Sequence, residues 1–181
     1  MKCPSCGFEN LGGEDRCQQC LHSLMHVDLP MPKKSDKIQS MMMTAPISEL
    51  LTGKDLLVAS TADSIEQIVT ILQKEKKDCV LIYKKQKLVG IISDRDLLRK
   101  VAGHYKDLSK VKAEAIMTPN PEFVRADDPI AYVVNKMATG GFRHVPVLRE
   151  DGTPFSIISI KDVLGYLSRR LKGSPPPRSG K

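Results

Sequence analysis

The chain has no tryptophan, and aromatic residues make up only 4% of its 181 residues. A core must therefore be built from Ile, Leu, Val and Met, and the aromatic platforms on which single-stranded nucleic acid stacks are scarce. No run approaches 18 consecutive apolar residues, which excludes a membrane-spanning helix. The first residues lack the apolar stretch and small-residue cleavage site of a secretory signal. Four histidines at 22, 26, 104 and 144 form no triad or ligand grouping, and no Gly-rich phosphate loop occurs. Catalysis is not expected. Cysteine is also sparse, and four of the five residues sit in two C-x-x-C pairs. That suits a metal in a reducing compartment better than a disulfide framework, so a cytoplasmic location is expected.

What is present begins with apolar residues at 41% and a net charge of +7. Residues 1–37 balance their charges, the tail from Lys172 carries +3, and the middle holds the remaining +4. This mild excess suits an anionic small ligand. It forms no dense basic stripe, so nucleic acid is not the expected partner.

The N-terminal segment reads Cys3-Pro-Ser-Cys6-Gly7 and then Cys17-Gln-Gln-Cys20, with ten residues between the pairs. Two thiolate knuckles supply the four sulfurs that tetrahedral Zn²⁺ takes, and some twenty residues order only around such an ion. Two disulfides or a redox C-x-x-C are the alternatives; the redox reading lacks a βαβ context. His22 and His26 are alternative ligands. The pattern resembles short zinc ribbons of the form C-P-x-C-G…C-x-x-C-G, although Leu21 stands where the second Gly is usual. Such ribbons dock on partner proteins or nucleic acid; with Lys2 and Arg16 the only cations in the knuckles, a nucleic-acid face is not expected, and a protein partner stays open.

The rest of the chain is duplicated. Residues 63–102 and 128–168 each end in an apolar strand that runs into a Ser-x-x-Asp helix start: Gly90-Ile91-Ile92-Ser93-Asp94-Arg95-Asp96 and Ser156-Ile157-Ile158-Ser159-Ile160-Lys161-Asp162, 66 residues apart. A strand is expected over about Leu56–Ser60. A helix then opens at Asp63 or Ser64, with Ile65, Ile68, Val69 and Leu72 on one face. Ile130, Val133, Val134 and Met137 repeat that spacing behind Asp128 as N-cap and Pro129 at the first helical position. Strands follow at Asp78–Tyr83 and Leu88–Ser93, and again at Arg143–Leu148 and Phe155–Ser159. The loops are Lys84–Lys87 and Arg149–Pro154, the latter turning at Asp151-Gly152. The final helices carry Leu97, Leu98 and Val101, and Val163, Leu164 and Leu167. Each copy reads β-α-β-β-α, and units this small must pack together to bury their faces.

The two copies resemble cystathionine-β-synthase (CBS) domains, and together a Bateman module. The residues that carry the match are Ile116-Met117-Thr118-Pro119-Asn120-Pro121, His144-Val145-Pro146-Val147 and the two Ile-Ile-Ser-x-x-Asp segments, with Ser156 in place of the usual Gly. The fold class expected is α/β (α+β): two CBS repeats packed as a pseudo-twofold pair, plus a zinc-ribbon knuckle. The divisions are ribbon 1–28, linker 29–45, repeats 46–108 and 109–171, and a disordered tail 172–181. Met41-Met42-Met43 reads as packing at a helix entrance.

The Ser-x-x-Asp pairs have two readings. As capping boxes they stabilise each helix by roughly 0.5–2 kcal/mol. As ligand groups, Asp96 and Asp162 accept hydrogen bonds from a ribose diol, Ser93 and Ser159 add another, and Arg95 and Lys161 face phosphate at the helix start. The resemblance implies the second role, with AMP, ADP, ATP or S-adenosylmethionine as regulatory ligand. Gly90 would let backbone approach closely at the first site. Ile160 in place of Asp94 removes a charge that could repel phosphate, so the second site is expected to tolerate polyphosphate better. Arg143 contacts phosphate, while His144 is either a second contact or a half-buried strand residue. Cys79 is a small apolar strand residue. The expected function is an adenosine-nucleotide or S-adenosyl sensor with output through the ribbon or a homodimer. A ligand-free dimerisation module and a ribbon-based nucleic-acid regulator are the alternatives.

Overall fold

A computed structural model describes residues 1–3, 6–11, 14–22, 24, 37–51, 53 and 56–172. The proline-bearing linker 30–36, His26 and the tail beyond Lys172 lie outside the described residues.

Two sheets form the duplicated part. In the first, β1 (Val58–Ser60) runs parallel to β2 (Cys79–Lys84), which pairs antiparallel with β3 (Lys87–Ser93) and through it with β4 (Thr118–Pro119). In the second, β5 (Val124–Arg125) is parallel to β6 (His144–Leu148), which pairs antiparallel with β7 (Pro154–Ser159). Both hairpins shift register at matched points, between Ile82 and Tyr83 and between Val147 and Leu148. The copies differ by one residue in the hairpin loop. Lys85 and Gln86 turn the first with φ +47° and +63°, a two-residue turn with both centres left-handed. The longer second loop uses Gly152 at φ +82°, with Asp151 accepting from Thr153 N at 2.8 Å.

Helix α2 (Ile65–Glu75) follows β1, and α5 (Ile130–Gly140) follows β5. Ile65, Ile68 and Leu72 are buried in one core, Ile130, Val133 and Met137 in the other, as their spacing predicts. Ser64 caps α2 in a capping box with Gln67. The start of α5 differs from expectation by one residue: Pro129 is the N-cap, and Asp128 is not. The Asp128 carboxylate instead accepts from Arg125 N at 2.8 Å, as Asp63 accepts from Ser60 N at 2.7 Å. The acid holds the turn before the helix, and proline's fixed φ sets the entry.

The final helices are not alike. α6 (Ile160–Leu171) is α-helical throughout. Its counterpart begins as α3 (Asp94–Asp96) and rewinds at once into a π turn over Leu97–Val101, closed by Ala102 N on Leu97 O at 2.9 Å. Leu98 and Leu164, matched positions of the duplication, are exposed rather than in the cores.

The lead-in to each repeat packs on the other one. Before the first, α1 (Lys37–Thr44) ends at a 3₁₀ turn, Ile47–Leu50; before the second, a 3₁₀ turn, Leu108–Lys110, precedes α4 (Ala113–Ile116). Ile47 N bonds Asp128 O, Ser48 N bonds Ala126 O, and Ile130 N bonds Ala45 O, at 2.8, 2.8 and 3.0 Å. Ala113 N to Asp63 O, Glu114 N to Thr61 O and Ile65 N to Val111 O repeat the pattern at 2.9, 3.2 and 2.8 Å. Side chains follow: Ala45, Ile47 and Leu50 belong to the core of Val124, Ile130 and Val145, with Met41 and Met42 against it. Tyr166 OH of α6 donates to Glu49 at 2.8 Å, which ties the same lead-in to the last helix. Truncating Ile47, fully buried in this exchange, to Ala should lower unfolding free energy by about 2–5 kcal/mol. Amide exchange should quicken more at Val145 and Ile158 than at Ile92; the reverse order would mean that Ile47 stabilises its own repeat.

Candidate functional site

The two repeats meet along a seam in which Cys79, Leu81 and Ile91 are buried with Ile157 of the second repeat against them. Cys79 is thus the apolar strand residue expected of it. A crevice opens on each side of the seam, and His144 lines both.

The first crevice is a cavity of about 300 Å³ that contains Ser93, Arg95, Asp96, Arg143 and His144. Arg99, Lys100, Thr118, Asn120 and Glu122 join them. The second, of about 260 Å³, contains Ser159 and Asp162 with Glu75, Lys76, Lys77 and Asp78. Each Ser-x-x-Asp motif therefore reaches a different crevice. Gly90 and Lys161 lie in neither lining. A Cβ on Gly90 would stand 2.4 Å from Met117 Sδ, so the missing side chain makes room for Met117 rather than for a ligand.

The capping reading holds at both motifs. Ser93 Oγ accepts from Asp96 N, and Asp96 Oδ2 accepts from Ser93 N at 2.9 Å and from Ser93 Oγ at 2.6 Å. Ser159 and Asp162 repeat these contacts at the same distances. At Asp96 the second oxygen is also engaged: Oδ1 lies 2.9 Å from Lys100 Nζ and 3.3 Å from Thr118 Oγ1. Burial works against ionisation of Asp96, but its bonds with Ser93 and Lys100 outweigh it and hold the carboxyl below the usual range.

Charge separates the crevices. The first is lined by four cations (Arg95, Arg99, Lys100, Arg143) and two acids (Asp96, Glu122). The second has Lys76 and Lys77 against Glu75, Asp78 and Asp162. The electrostatic preference thus opposes the expectation that the second site suits polyphosphate better. Asp94, thought to repel phosphate, pairs with Arg143 at 3.0 Å across the repeats. Lys161 pairs with Asp78 at 2.6 Å, and Arg95 donates to Gly141 O at 2.8 Å, also between repeats. Burial pushes His144 below its usual value; Asp78 and Asp94 oppose this, and Arg143 and Lys161 add to it. A neutral imidazole offers a hydrogen bond rather than a charge. Arg99 and Lys100 were missed at the sequence level, although their places three and four residues after Asp96 put them within its reach on a helix.

At the N-terminus, the sulfurs of Cys3, Cys6, Cys17 and Cys20 all lie within 4.8 Å of one another, a group that could hold one metal ion. The separations of 3.6 Å (Cys3 to Cys20) and 3.5 Å (Cys6 to Cys17) are too long for disulfides. They match the edges of a tetrahedron with metal–sulfur bonds of about 2.3 Å. The knuckles are superimposable in kind: Gly7 N bonds Cys3 O and Leu21 N bonds Cys17 O, both at 2.9 Å. Gly7 has φ +75° and Leu21 φ +58°, so the second turn forms despite its side chain, at a cost of roughly 1–2 kcal/mol. Burial raises the Cys17 thiol, yet the N–H groups of Cys20 and Gln19 and the Asn10 side chain bring it down to about 6. His22 is outside the sulfur group. Arg16 stacks over the Phe123 ring at 4.3 Å, which seats the knuckles against the second repeat. Between them lies a shallow cavity that shares Glu122, Gly140 and Phe142 with the first crevice. Among the described residues, no helix is long and apolar enough to cross a membrane.

Comparison with known proteins agrees with this architecture. The CBS domain family matches residues 47–103 and 113–169, and the chain belongs to that family. CBS domain-containing protein CBSCBSPB1 of Arabidopsis thaliana is 27% identical over 105 residues, 58% of this chain but 19% of the relative. The chain thus spans about a fifth of that protein. The CBS domain protein PAE2072 from Pyrobaculum aerophilum, complexed with AMP, is 27% identical with a TM-score of 0.59 over 68% of this chain and 98% of that one. The CBS domain pair of protein MJ0100, in complex with 5′-methylthioadenosine and S-adenosyl-L-methionine, is 27% identical with a TM-score of 0.59 over 72% and 98%.

Proposed function

We propose that the chain is a non-catalytic regulatory module that binds an adenosine nucleotide in the first crevice. The observation that carries this reading is the lining of that crevice. It places a helix-start carboxylate among four cations at the junction of the repeats, in a volume at the small end of ligand pockets. Such a site suits a nucleoside monophosphate, with the diol at Asp96 and Ser93 and the phosphate toward Arg143 and Arg95. The AMP held by the relative from Pyrobaculum aerophilum supports the ligand class. The acid-rich second crevice, with Ser159 and Asp162, suits an adenosyl compound without phosphate, such as S-adenosylmethionine. Lys161 then acts by pairing with Asp78 rather than by touching ligand. A second reading, a ligand-free interaction module, is favoured by the engagement of both Asp96 oxygens. Calorimetry separates the two. AMP should give heat with the wild type and with Asp162→Ala but not with Asp96→Ala, whereas silence from AMP, ATP and S-adenosylmethionine alike would leave the interaction module.

The output runs through the knuckles, which border a cavity that shares Glu122, Gly140 and Phe142 with the crevice, and through a homodimer. Zn²⁺ is the ion proposed for Cys3, Cys6, Cys17 and Cys20, since four thiolates at tetrahedral edges match its preference. This fits a cytoplasmic setting, where thiols stay reduced. Elemental analysis of purified protein should find one zinc per chain and none in Cys17→Ser; a full complement in that variant would place the metal elsewhere. The dimer is supported by Leu98 and Leu164, exposed at 71% and 59% on matched helices. Sedimentation should show a dimer that Leu98→Glu/Leu164→Glu converts to monomer, and an unchanged dimer would move the contact to another face. Docking of the ribbon is proposed to involve protein rather than nucleic acid, because Arg16 is spent on Phe123.

A further inference from the structure

We infer that Lys100 is a specificity-determining residue of the first crevice, a tethered cation that holds the place on Asp96 which a ribose diol must take. The inference rests on the reading of that crevice as an adenosine site and concerns what controls entry to it. The Lys100 ammonium has three partners: Asp96 Oδ1 at 2.9 Å, Ile116 O at 2.8 Å and Thr118 Oγ1 at 3.3 Å. Three donors are thereby matched by three acceptors. Because Oδ2 is committed to the helix cap, Oδ1 is the oxygen left for a diol, and it is the one Lys100 covers. The Asp96 side chain is only 17% exposed, so little of it is open to a diol while the lysine stays in place.

The backbone arrangement that presents Lys100 is found in one repeat only. The π turn over Leu97–Val101 begins directly after Asp96 and carries Lys100 on it. In the second repeat α6 is regular, and the position matched to Lys100 is Tyr166, 1% exposed and donating to Glu49. The position that carries Lys100 in the first repeat thus carries a buried tyrosine in the second. π turns inside helices recur at functional sites, where they redirect a side chain. Here the side chain carried on the turn is the competitor of the ligand. A neutral diol must replace a charge-assisted contact, so the lysine weakens binding of every ligand that recognises Asp96 through two hydroxyls.

The test is calorimetry with AMP, adenosine and 2′-deoxyadenosine on the full chain, in an Asp162→Ala background so that the heat reports the first crevice. Lys100→Met should tighten AMP and adenosine about 10-fold, the size expected for releasing one charge-assisted contact, and leave 2′-deoxyadenosine within about 2-fold. Lys100→Gln, which keeps a donor for Ile116 O if the methionine variant folds poorly, should show the same diol-dependent gain in smaller measure. Unchanged affinities would overturn the inference while leaving the adenosine site standing. So would loss of AMP alone, which would make Lys100 a phosphate ligand, or an equal gain for the deoxynucleoside, which would make it a mere filler of space. If neither the wild type nor either variant binds any of the three, the adenosine reading falls and this inference falls with it. Binding seen only after Lys100 is replaced would support this inference, with the lysine then keeping the wild type silent.

Discussion

The exchange of lead-in segments is the constraint on which the rest depends. Residues 45–48 complete the edge of the second repeat and residues 111–114 complete the first, through matched backbone hydrogen bonds. Buried backbone groups need such partners, and at these edges each repeat finds them in the segment that precedes the other. The cores follow the same crossing, since Ile47 and Leu50 lie in one and Ala113 and Ile116 in the other. Neither β-α-β-β-α unit is therefore closed without its neighbour. The seam between them, and with it the pair of crevices, is a consequence of how the chain satisfies its own backbone.

Much of this was legible in the sequence because duplication is a strong signal. The helical spacing of Ile65, Ile68 and Leu72 and its echo at Ile130, Val133 and Met137 identified the buried faces. The four cysteines declared their own grouping. What escaped was set by tertiary context. The shift of the α5 start from Asp128 to Pro129 reflects the aspartate's use in the preceding turn, a choice no local rule decides. The π turn is equally silent, since Leu97–Val101 has the same apolar pattern as its α-helical counterpart. Leu98 and Leu164 matched that pattern and yet face outward, because each helix buries only one stripe.

The site was legible in its parts and less so in its balance. Ser93, Asp96, Arg95 and Arg143 do converge on one crevice, and Ser159 and Asp162 on the other. The charge of each crevice depends on residues from the opposite repeat, however. Arg143 neutralises Asp94, and Asp78 binds Lys161, so substitutions judged by sequence neighbours alone point the wrong way. Gly90 illustrates the same limit: its lack of a side chain accommodates Met117, which lies at the end of α4 just before β4.

Duplication followed by divergence leaves two crevices of similar shape and different chemistry. Shape is conserved by the backbone, because the capping boxes at Ser93 and Ser159 orient both carboxylates alike. Chemistry is set by what stands beyond the box. Cations at 95, 99 and 143 make one crevice attractive to anions while a lysine on a π turn covers its carboxylate, and acids at 75 and 78 make the other indifferent to anions. Ligand in the first crevice would act on Glu122 and Phe142, which also border the cleft where Arg16 seats the cysteine knuckles on Phe123. A ligand moves an equilibrium only through a difference in its affinity for two arrangements. The shared wall is where such a difference can arise here, since Glu122, Gly140 and Phe142 border both the crevice and the cavity beside the knuckles.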